Sequence, residues 1–520
     1  MKISTACAML AGLLLPAAAW AEPAVNSAPS QSAVVRGVFP AADIKDPRLS
    51  LLKIEERRLD NGIPVYIVER PKLPLEEVLF SFPAAGSENE PAGKYGLAYQ
   101  LMHCLTRGAG ERDALAFAEA VDLQGADISP WGMNFDCMSL ELTCLSENLP
   151  ESLDLAADAL MSPALAPREL KIEQKDYEEM YLRWRNSPKY LPYFLFDRLL
   201  YGEASRYGTF RTGDSAQASA LTREDLLDYY GRHLRPEKMF ICCCGSVKAD
   251  EMAALLNKRI GRWSPAPYAA GENAEAENTE TAAAAKPEPR YIPADLPKDH
   301  TPLEGRLFVV DNPGASQSVI VAGCLGLVRG DPDYLKAEVM NGVLGGPFSS
   351  RLNTNLREKH GYTYGASSGL YSSIHHCRFR AQTDVQTDKT VPALQEMLKE
   401  IASMRQPVPE DELRRTIDYM AYGFPDKFKR LNRINEFVYE TVLYGFPKNY
   451  GDTYIAELRK ITPEDVRLAA ERILGPDKLI VVISGDAKAI EPQLKEAELR
   501  ARLLTVDEVL GPQFISEKNL

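Results

Sequence analysis

Apolar residues recur along the chain with two different periods. Short apolar or alternating runs at 78–82 and 138–144 are typical of β-strands. At 113–123 and 149–160 the apolar positions return every three or four residues, which predicts amphipathic helices. The charged stretch 167–185 has no Gly or Pro after its first residue and predicts a long helix. Because strands and helices mix without strict alternation, the pattern favours an α+β fold.

One strand-helix pattern occurs twice. Segments 221–245 and 461–485 each open with a helix capped by Thr222 or Thr462, continue through a Pro-x-Lys turn, and end in an apolar strand closed by Gly245 or Gly485. The spacing between the copies is 240 residues at each of these points. This repeat indicates an internal duplication and predicts two homologous domains, each a sheet covered by helices.

Composition then divides the chain into six parts. The first domain is expected to begin near the strand-turn-strand pattern around the Asn61-Gly62 dipeptide. The stretch before the second domain is acidic and rich in Ala and Pro, as linkers are. The expected parts are a signal peptide at 1–21, a flexible lead-in at 22–50, the first domain at 51–268, a linker at 269–302, the second domain at 303–505 and a tail at 506–520.

The N-terminal residues resemble an export signal. Lys2 precedes an apolar run at 6–19, and Ala19-Trp20-Ala21 fits the small-x-small rule for cleavage. A short membrane anchor is the alternative, but the apolar run is brief and no stop-transfer charges follow it. We therefore expect a cleaved signal peptide, a periplasmic protein and no stable insertion into a membrane.

The net charge and the cysteine spacing exclude several classes of protein. The net charge of −13 and the absence of a basic run argue against a nucleic-acid partner. The cysteines that remain after cleavage show neither a small-scaffold disulfide pattern nor the paired spacing of a zinc ribbon. Three of them, Cys242 to Cys244, fall in a predicted strand. We therefore interpret them as small buried apolar residues.

Candidate chemistry appears first in the short apolar helix predicted at 96–108. Tyr99 and His103 are four residues apart, so they share one face of that helix. The frame, in a Gly-Leu-Ala context, resembles the inverted zinc motif H-x-x-E-H of the pitrilysin/insulinase (M16) metallopeptidases. In that motif two histidines bind zinc and the glutamate activates water. Here Tyr99 replaces the first histidine and Met102 replaces the glutamate, while His103 keeps the second ligand position.

The resemblance also implies a third ligand, a glutamate about seventy-five residues downstream on a helix. Glu179 is aligned with it, and Glu178 is one residue away. Tyr99 is a poor ligand because a tyrosine hydroxyl titrates near pH 10. His103 and Glu179 alone would form only a vestigial, weak metal site, since zinc prefers at least three protein ligands. A leftover hydrogen-bonded pair is the favoured alternative to bound zinc.

A second motif resembles the same family more closely. The sequence has Gly345-Gly346, a Ser-Arg-Leu run and then Leu-Arg-Glu-Lys-x-Gly-x-x-Tyr, which ends at Tyr364. In active members the Arg and Tyr of this motif hold the substrate, which implies a substrate-binding role for Arg357 and Tyr364. Both side chains can donate hydrogen bonds to a peptide carbonyl. The alternative is that Arg357 pairs with nearby carboxylates and Tyr364 packs in the sheet. The cluster His375-His376-Cys377 is interpreted as non-functional.

Together these features resemble one chain of the bacterial two-chain M16 enzymes. The resemblance implies the fold of the mitochondrial processing peptidase, also called the LuxS-like metallohydrolase fold. It further implies a non-catalytic, substrate-binding subunit that binds no zinc alone and pairs with a subunit whose intact H-x-x-E-H motif carries zinc. The expected substrates are peptides or unfolded segments. The alternatives are a stand-alone peptide-binding or scaffold protein, and a self-sufficient zinc metallopeptidase with an atypical site.

Overall fold

The computed structural model describes residues 52–264, 303 and 305–511, apart from the single positions 84, 133, 186, 188, 203, 204 and 476. The predicted signal peptide, the lead-in and the linker lie outside the described residues, as does most of the predicted C-terminal tail. The described part of the chain belongs to one compact unit. Within it, strands form two six-stranded mixed sheets, one from each half of the sequence.

The first sheet has the order β1-β2-β6-β3-β5-β4. Its central strands are buried on both faces, because helices cover the sheet on either side. The β2–β6 pair is parallel and the others are antiparallel. The strands are β1 (Glu55–Arg58), β2 (Pro64–Glu69), β3 (Leu75–Pro83), β4 (Asp127–Trp131), β5 (Cys137–Leu145) and β6 (Phe240–Gly245).

Helices in this half agree with the predicted periodicity. The predicted long helix at 167–185 is present with those bounds as α4. The helices are α1 (Leu97–Cys104), α2 (Ala114–Leu123), α3 (Leu149–Met161), α4 (Pro167–Arg185), α5 (Leu191–Tyr201), α6 (Ser215–Ala220), α7 (Arg223–His233) and α8 (Ala249–Arg259).

The second sheet has the same strand arrangement as the first, except for the strand at one edge. Its order is β12-β7-β11-β8-β10-β9, so the outermost strand beside β7 comes from the C-terminal end of the chain and runs parallel to β7. In the first sheet the equivalent strand, β1, precedes β2 and runs antiparallel to it. The strands are β7 (Leu307–Asp311), β8 (Gln317–Leu325), β9 (Ala366–Ser372), β10 (Cys377–Gln386), β11 (Ile480–Gly485) and β12 (Arg502–Leu504).

The helices of the second half follow the same succession. They are α9 (Tyr334–Leu344), α10 (Arg351–Asn353), α11 (Thr390–Ser403), α12 (Glu410–Gly423), α13 (Leu431–Leu443), α14 (Tyr450–Leu458), α15 (Pro463–Ile473), α16 (Ala487–Glu496) and α17 (Val506–Leu510). A π-helical turn, Thr354–Lys359, follows α10.

The internal duplication predicted from the 240-residue repeat is confirmed. Thr222 caps the N-terminus of α7 and Thr462 that of α15, and in both copies an aspartate three residues later completes a reciprocal capping box. The strands that follow, β6 and β11, occupy the same position in their sheets. Local capping chemistry and strand position are therefore preserved together.

Each half also supplies one helix to the other half's sheet. Helix α5 of the first half packs on β7, β8 and β11. Its Phe196 lies against Gly323, where any larger residue would place its Cβ atom too close to the Phe196 ring. Helix α13, whose first residue lies 240 positions after that of α5, packs in turn on β2, β3 and β6. Its Asn435 donates hydrogen bonds to the carbonyl oxygens of Glu77 (3.3 Å) and Cys242 (3.4 Å). Each half thus has a core of its own, and the two halves share two further hydrophobic clusters.

Two further predictions can be compared with the fold. The cysteines of the described chain are all buried and unbridged, and Cys242 to Cys244 are fully buried in β6, as expected for small apolar residues. Within the described ranges, no helix has the length and apolar character needed to cross a bilayer.

Candidate functional site

Helix α1 is held at its N-terminus by a buried carboxylate and a close backbone contact. Gly96 has a φ of 104°, and a Cβ there would lie 2.4 Å from the carbonyl oxygen of Thr212, so glycine is required. The buried carboxylate of Glu90 accepts hydrogen bonds from the backbone N–H groups of Gly96 (3.0 Å) and Ala98 (2.7 Å). Arg206 forms a buried ion pair with the same carboxylate. Negative charge at a helix N-terminus is stabilising, so this network orients α1.

The residues of the degenerate zinc motif lie at the other end of α1. Tyr99 and His103 share one face, as predicted, and their ring centroids are 4.4 Å apart. Met102 points the other way and is only 1% exposed, within the hydrophobic core. Burial raises the pKa of Tyr99 and lowers the pKa of His103. Tyr99 is therefore a neutral phenol at pH 7, and burial favours a neutral imidazole at His103.

The carboxylate beside His103 is Glu173 rather than the predicted Glu179. Oε2 of Glu173 lies 3.9 Å from Nδ1 of His103, and the Glu173 side chain is 4% exposed. Glu179 and Glu178 both point to solvent from α4. Glu173 and Glu179 are six residues apart on α4, and six residues rotate a side chain by about 240° around the helix axis, so the two carboxylates face different directions. The sequence separation alone therefore selected the wrong face of α4.

Arg107, three residues beyond α1, occupies the acidic face of α4. Its guanidinium forms an ion pair with Glu173 and lies 3.9 Å from Glu169 and 3.8 Å from Asp176. The buried carboxylate of Glu173 is thus already paired with a cation of the chain itself. Neither Glu173 nor Arg107 was selected from the sequence. The sequence signal for the inward face of α4 is the pair Leu170 and Tyr177, seven residues apart. Glu173 lies between them at three- and four-residue spacing, and all three are buried.

These side chains do not fit a zinc site. Zinc takes nitrogen, sulfur or carboxylate ligands, usually three or four from the protein. Here His103 is accompanied by a neutral phenol, a buried thioether and a carboxylate bound to arginine. Across the described residues, no group of three or more His, Cys, Asp and Glu side chains is arranged to hold a metal ion. The centre also lacks a carboxylate at position 102 that could take a proton from water.

Arg357 lies in the π-helical turn Thr354–Lys359. The N–H of His360 donates to the carbonyl oxygen of Asn355 at 3.1 Å, which gives the wider turn. Such turns often occur at functional sites. The guanidinium carbon of Arg357 lies 4.3 Å from the centre of the Phe348 ring, and Nε is 3.5 Å from Glu358. The side chain is therefore stacked on a ring that is itself 65% exposed.

Tyr364 does not pack in the sheet. It is 92% exposed, in the loop that leads into β9. The other arginine of this motif, Arg351, is tied to Glu412 by two hydrogen bonds of 2.8 and 2.6 Å and therefore has a structural role. Arg357 and Tyr364 have the exposure that contact with another molecule requires. No contact among the described residues joins them to the α1–α4 centre.

The His375-His376-Cys377 cluster serves the packing between the two halves. Nδ1 of His376 lies 2.8 Å from the hydroxyl of Tyr201 on α5, and its ring contacts that of Tyr207. Burial lowers the pKa of His376 to about 3, so the imidazole is neutral. Asp136, in the first half, accepts a hydrogen bond of 2.8 Å from the N–H of Ile374.

Family comparison agrees with this geometry. The model described as "Insulinase (Peptidase family M16)" matches residues 83–197, and the model described as "Peptidase M16 inactive domain" matches residues 220–420. Together the two matches cover more than half of the chain. The chain belongs to the M16 peptidase family.

Known relatives of this M16 chain are distant in sequence. It is 23% identical over 419 residues to an uncharacterized zinc protease of Streptomyces coelicolor, covering 76% of this chain and 82% of that protein. It is also 23% identical over 427 residues to an uncharacterized zinc protease of Mycobacterium tuberculosis, covering 79% and 89% of the two chains. Similarity thus extends through both halves.

Solved structures share the M16 fold. A peptidase M16 inactive domain from Pseudomonas fluorescens matches with a TM-score of 0.72 at 22% identity, covering 84% of this chain and 98% of that one. A protease from Helicobacter pylori matches with a TM-score of 0.70 at 19% identity, covering 84% and 100%. At these identities the likeness establishes the fold alone.

Proposed function

We propose that this chain is the non-catalytic, substrate-binding subunit of a periplasmic two-chain M16 zinc peptidase acting on peptides or unfolded segments. The partner subunit would carry an intact H-x-x-E-H motif and the zinc. This chain alone would bind no zinc and cleave nothing. The pair of chains would form a heterodimer in which each contributes two similar domains.

One observation carries the proposal. The same chain that has Tyr99 and Met102 at the metal positions keeps Arg357 and Tyr364 with their side chains open to another molecule. Because Tyr99 and Met102 replace the histidine and the glutamate of the motif, this chain lacks one zinc ligand and the general base. A guanidinium and a phenol remain useful only if a reacting peptide comes within reach, because both act by donating hydrogen bonds to a carbonyl or an oxyanion.

The test combines the mature chain with the H-x-x-E-H subunit from the same host and an unstructured peptide. We expect that Arg357→Ala and Tyr364→Phe each lower turnover while the zinc content of the partner stays normal. Loss of one donor to a developing oxyanion costs about 10²–10³ in kcat. Loss of a ground-state contact would instead raise KM and leave kcat largely unchanged.

Matched controls come from helix α12. Arg414→Ala removes an exposed arginine that forms no ion pair with any described residue, and Tyr419→Phe removes the hydroxyl of a tyrosine that is 61% exposed. Both should behave as wild type. Unchanged kcat and KM in the Arg357 and Tyr364 variants would refute the substrate-binding role and favour the scaffold alternative. Failure of every H-x-x-E-H subunit of the host to associate with this chain would refute the heterodimer.

A further inference from the structure

A row of aromatic side chains extends from the α1–α4 centre to the start of α5. The ring of Tyr181 lies 5.7 Å from that of Phe210, and Trp184 stacks on Phe210 at 6.1 Å. Phe194, on α5, also stacks on Phe210, at 3.7 Å with the planes 4° apart. Tyr190 follows beside Trp184 at 6.3 Å and is 53% exposed. These five residues, each partly open to solvent, are called the aromatic row.

Arg380 of β10 stands at one end of the row. Its guanidinium carbon lies 4.5 Å from the ring of Tyr193, the neighbour of Phe194, and 4.3 Å from the ring of Tyr371. Among the described residues no carboxylate lies within ion-pair distance of Arg380. Asp197 forms its ion pair with Arg378 at 3.1 Å and feels the charge of Arg380 only at longer range. Stacking between two rings fixes the orientation of the guanidinium in advance of binding.

Arg211 follows Phe210 in the chain and lies at the other end, toward the α1–α4 centre, where its charge interacts with Tyr99. The residue reaches solvent, and within the described part of the molecule it has no acidic partner. Its neighbour Arg206 is different, since that guanidinium is neutralised by Glu90. Desolvation by the surrounding protein lowers the pKa of the Arg211 guanidinium, and the positive charges of Arg378 and Arg206 lower it as well. Negative charge brought to this point would therefore be stabilised.

We propose that the aromatic row, with Arg211 and Arg380 at its ends, binds an extended polypeptide that carries carboxylates beside aromatic or apolar residues. Two guanidinium groups that have no carboxylate within ion-pair distance in the described part of the chain are suited to carboxylates, which they can bind in a bidentate manner. The rings supply stacking and apolar contact for the intervening side chains. This inference rests on the proposed function and specifies its substrate class as acidic rather than basic.

The test measures fluorescence anisotropy of labelled, unstructured peptides of equal length, with the intact mature chain. One peptide contains Glu and Phe, a second has Gln for each Glu, and a third has Lys. All three carry an amidated C-terminus, and a Gln peptide with a free C-terminus tests whether the carboxylate can come from the chain end. We expect the tightest binding with the Glu peptide or, if the terminus is the source, with the free-ended Gln peptide.

Variants then identify the residues responsible. Arg211→Ala and Arg380→Gln should each weaken binding of the carboxylate peptide by about tenfold, the effect of one charge-assisted hydrogen bond. The amidated Gln peptide should be affected much less. Arg414→Ala is the matched control and should change nothing. Arg211→Lys should retain part of the affinity, because it keeps the charge but not the planar geometry. Thermal unfolding verifies that each variant is folded.

Failure of this inference can be told apart from failure of the proposed function. Equal affinity for the Glu and both Gln peptides, together with sensitivity to Arg357→Ala, would overturn the acidic preference and leave the proposed function in place. Loss of association with the H-x-x-E-H subunit in Arg211→Ala or Arg380→Gln, with unchanged peptide affinity, would show that the row is a subunit contact and overturn the inference. If no peptide binds the chain or the two-chain complex, both proposals fall.

Discussion

The guanidinium of Arg107 forms an ion pair with the carboxylate of Glu173, at the position on α4 that faces His103. In a metal site, a bound cation would balance that buried carboxylate. Here a side chain of the protein does so and links the end of α1 to α4. Such a pair would stabilise the acidic residue of this centre whether or not a metal ion were bound, since a buried carboxylate is tolerated when it is paired.

The first prediction concerns this pair. Arg107→Ala would leave Glu173 charged and unpaired, so we expect the free energy of unfolding to fall by about 1–3 kcal/mol. This is less than the 3–5 kcal/mol for a fully buried pair, because Arg107 is partly exposed. Urea denaturation measures the change. Adding Glu173→Gln to Arg107→Ala should recover much of the loss. A double variant less stable than Arg107→Ala would contradict the pairing.

A second prediction concerns metal. The purified mature chain should contain much less than one zinc per molecule and should not cleave peptides, because Tyr99 and Met102 stand where a ligand and a base are needed. Elemental analysis and a chelator-controlled peptidase assay test both points. Tyr99→His combined with Arg107→Ala should raise zinc affinity, since it places two histidines near a freed Glu173. Stoichiometric, tightly held zinc in the wild-type chain would refute this reading.

A third prediction follows from the exchange of α5 and α13. Limited proteolysis should cut first between Ala269 and Lys298, because that sequence is low in apolar residues and rich in Ala, Glu and Pro. The two resulting fragments should remain together, since each sheet is covered by a helix of the other half. Size-exclusion chromatography of the nicked protein measures this. Fragments that separate without denaturant would contradict the stabilising role of the two shared clusters.

The exchanged helix α13 also covers a pair of carboxyl groups. Glu77, on β3 and 4% exposed, shares a hydrogen bond with Glu141 of β5. Burial and the neighbouring Glu141 raise the pKa of Glu77 to about 8, and burial raises the pKa of Glu141 as well. The other groups facing the pair are Asn435 and Glu436 of α13 and Asp127 of β4.

The fourth prediction is the pH dependence caused by this pair. The pKa of Glu77 in the folded state exceeds the value of about 4.3 expected in the unfolded chain, so the folded state holds a proton that the unfolded chain loses. Stability should therefore fall as the pH rises from about 5 to 8, by at most about 1.4 kcal/mol per pH unit, and then level off. Glu77→Gln should flatten the profile, whereas Glu178→Gln on the exposed face of α4 should not. Parallel profiles for wild type and Glu77→Gln would exclude this origin.

Local chemistry made much of the fold predictable from the sequence. The charged run without Gly or Pro became α4 with the expected bounds, and the two Thr-x-x-Asp capping boxes began equivalent helices 240 residues apart. The burial of Cys242 to Cys244 also followed from their place in an apolar strand. The identity of the altered motif residues, Tyr99 and Met102, needed no structure at all, because a change of ligand type is a property of the residue itself.

Other features depend on which face of an element meets which neighbour. The exposed position of Glu179 and the inward position of Glu173 differ only in helix rotation, which is set by the packing of α4 against α1. The aromatic row and the exchange of α5 and α13 bring together side chains from distant parts of the chain. The sequence by itself thus determined the family, the duplication and the altered motif. Only the tertiary structure decided that Arg107 neutralises Glu173, because that pairing requires two helices to meet at a particular rotation.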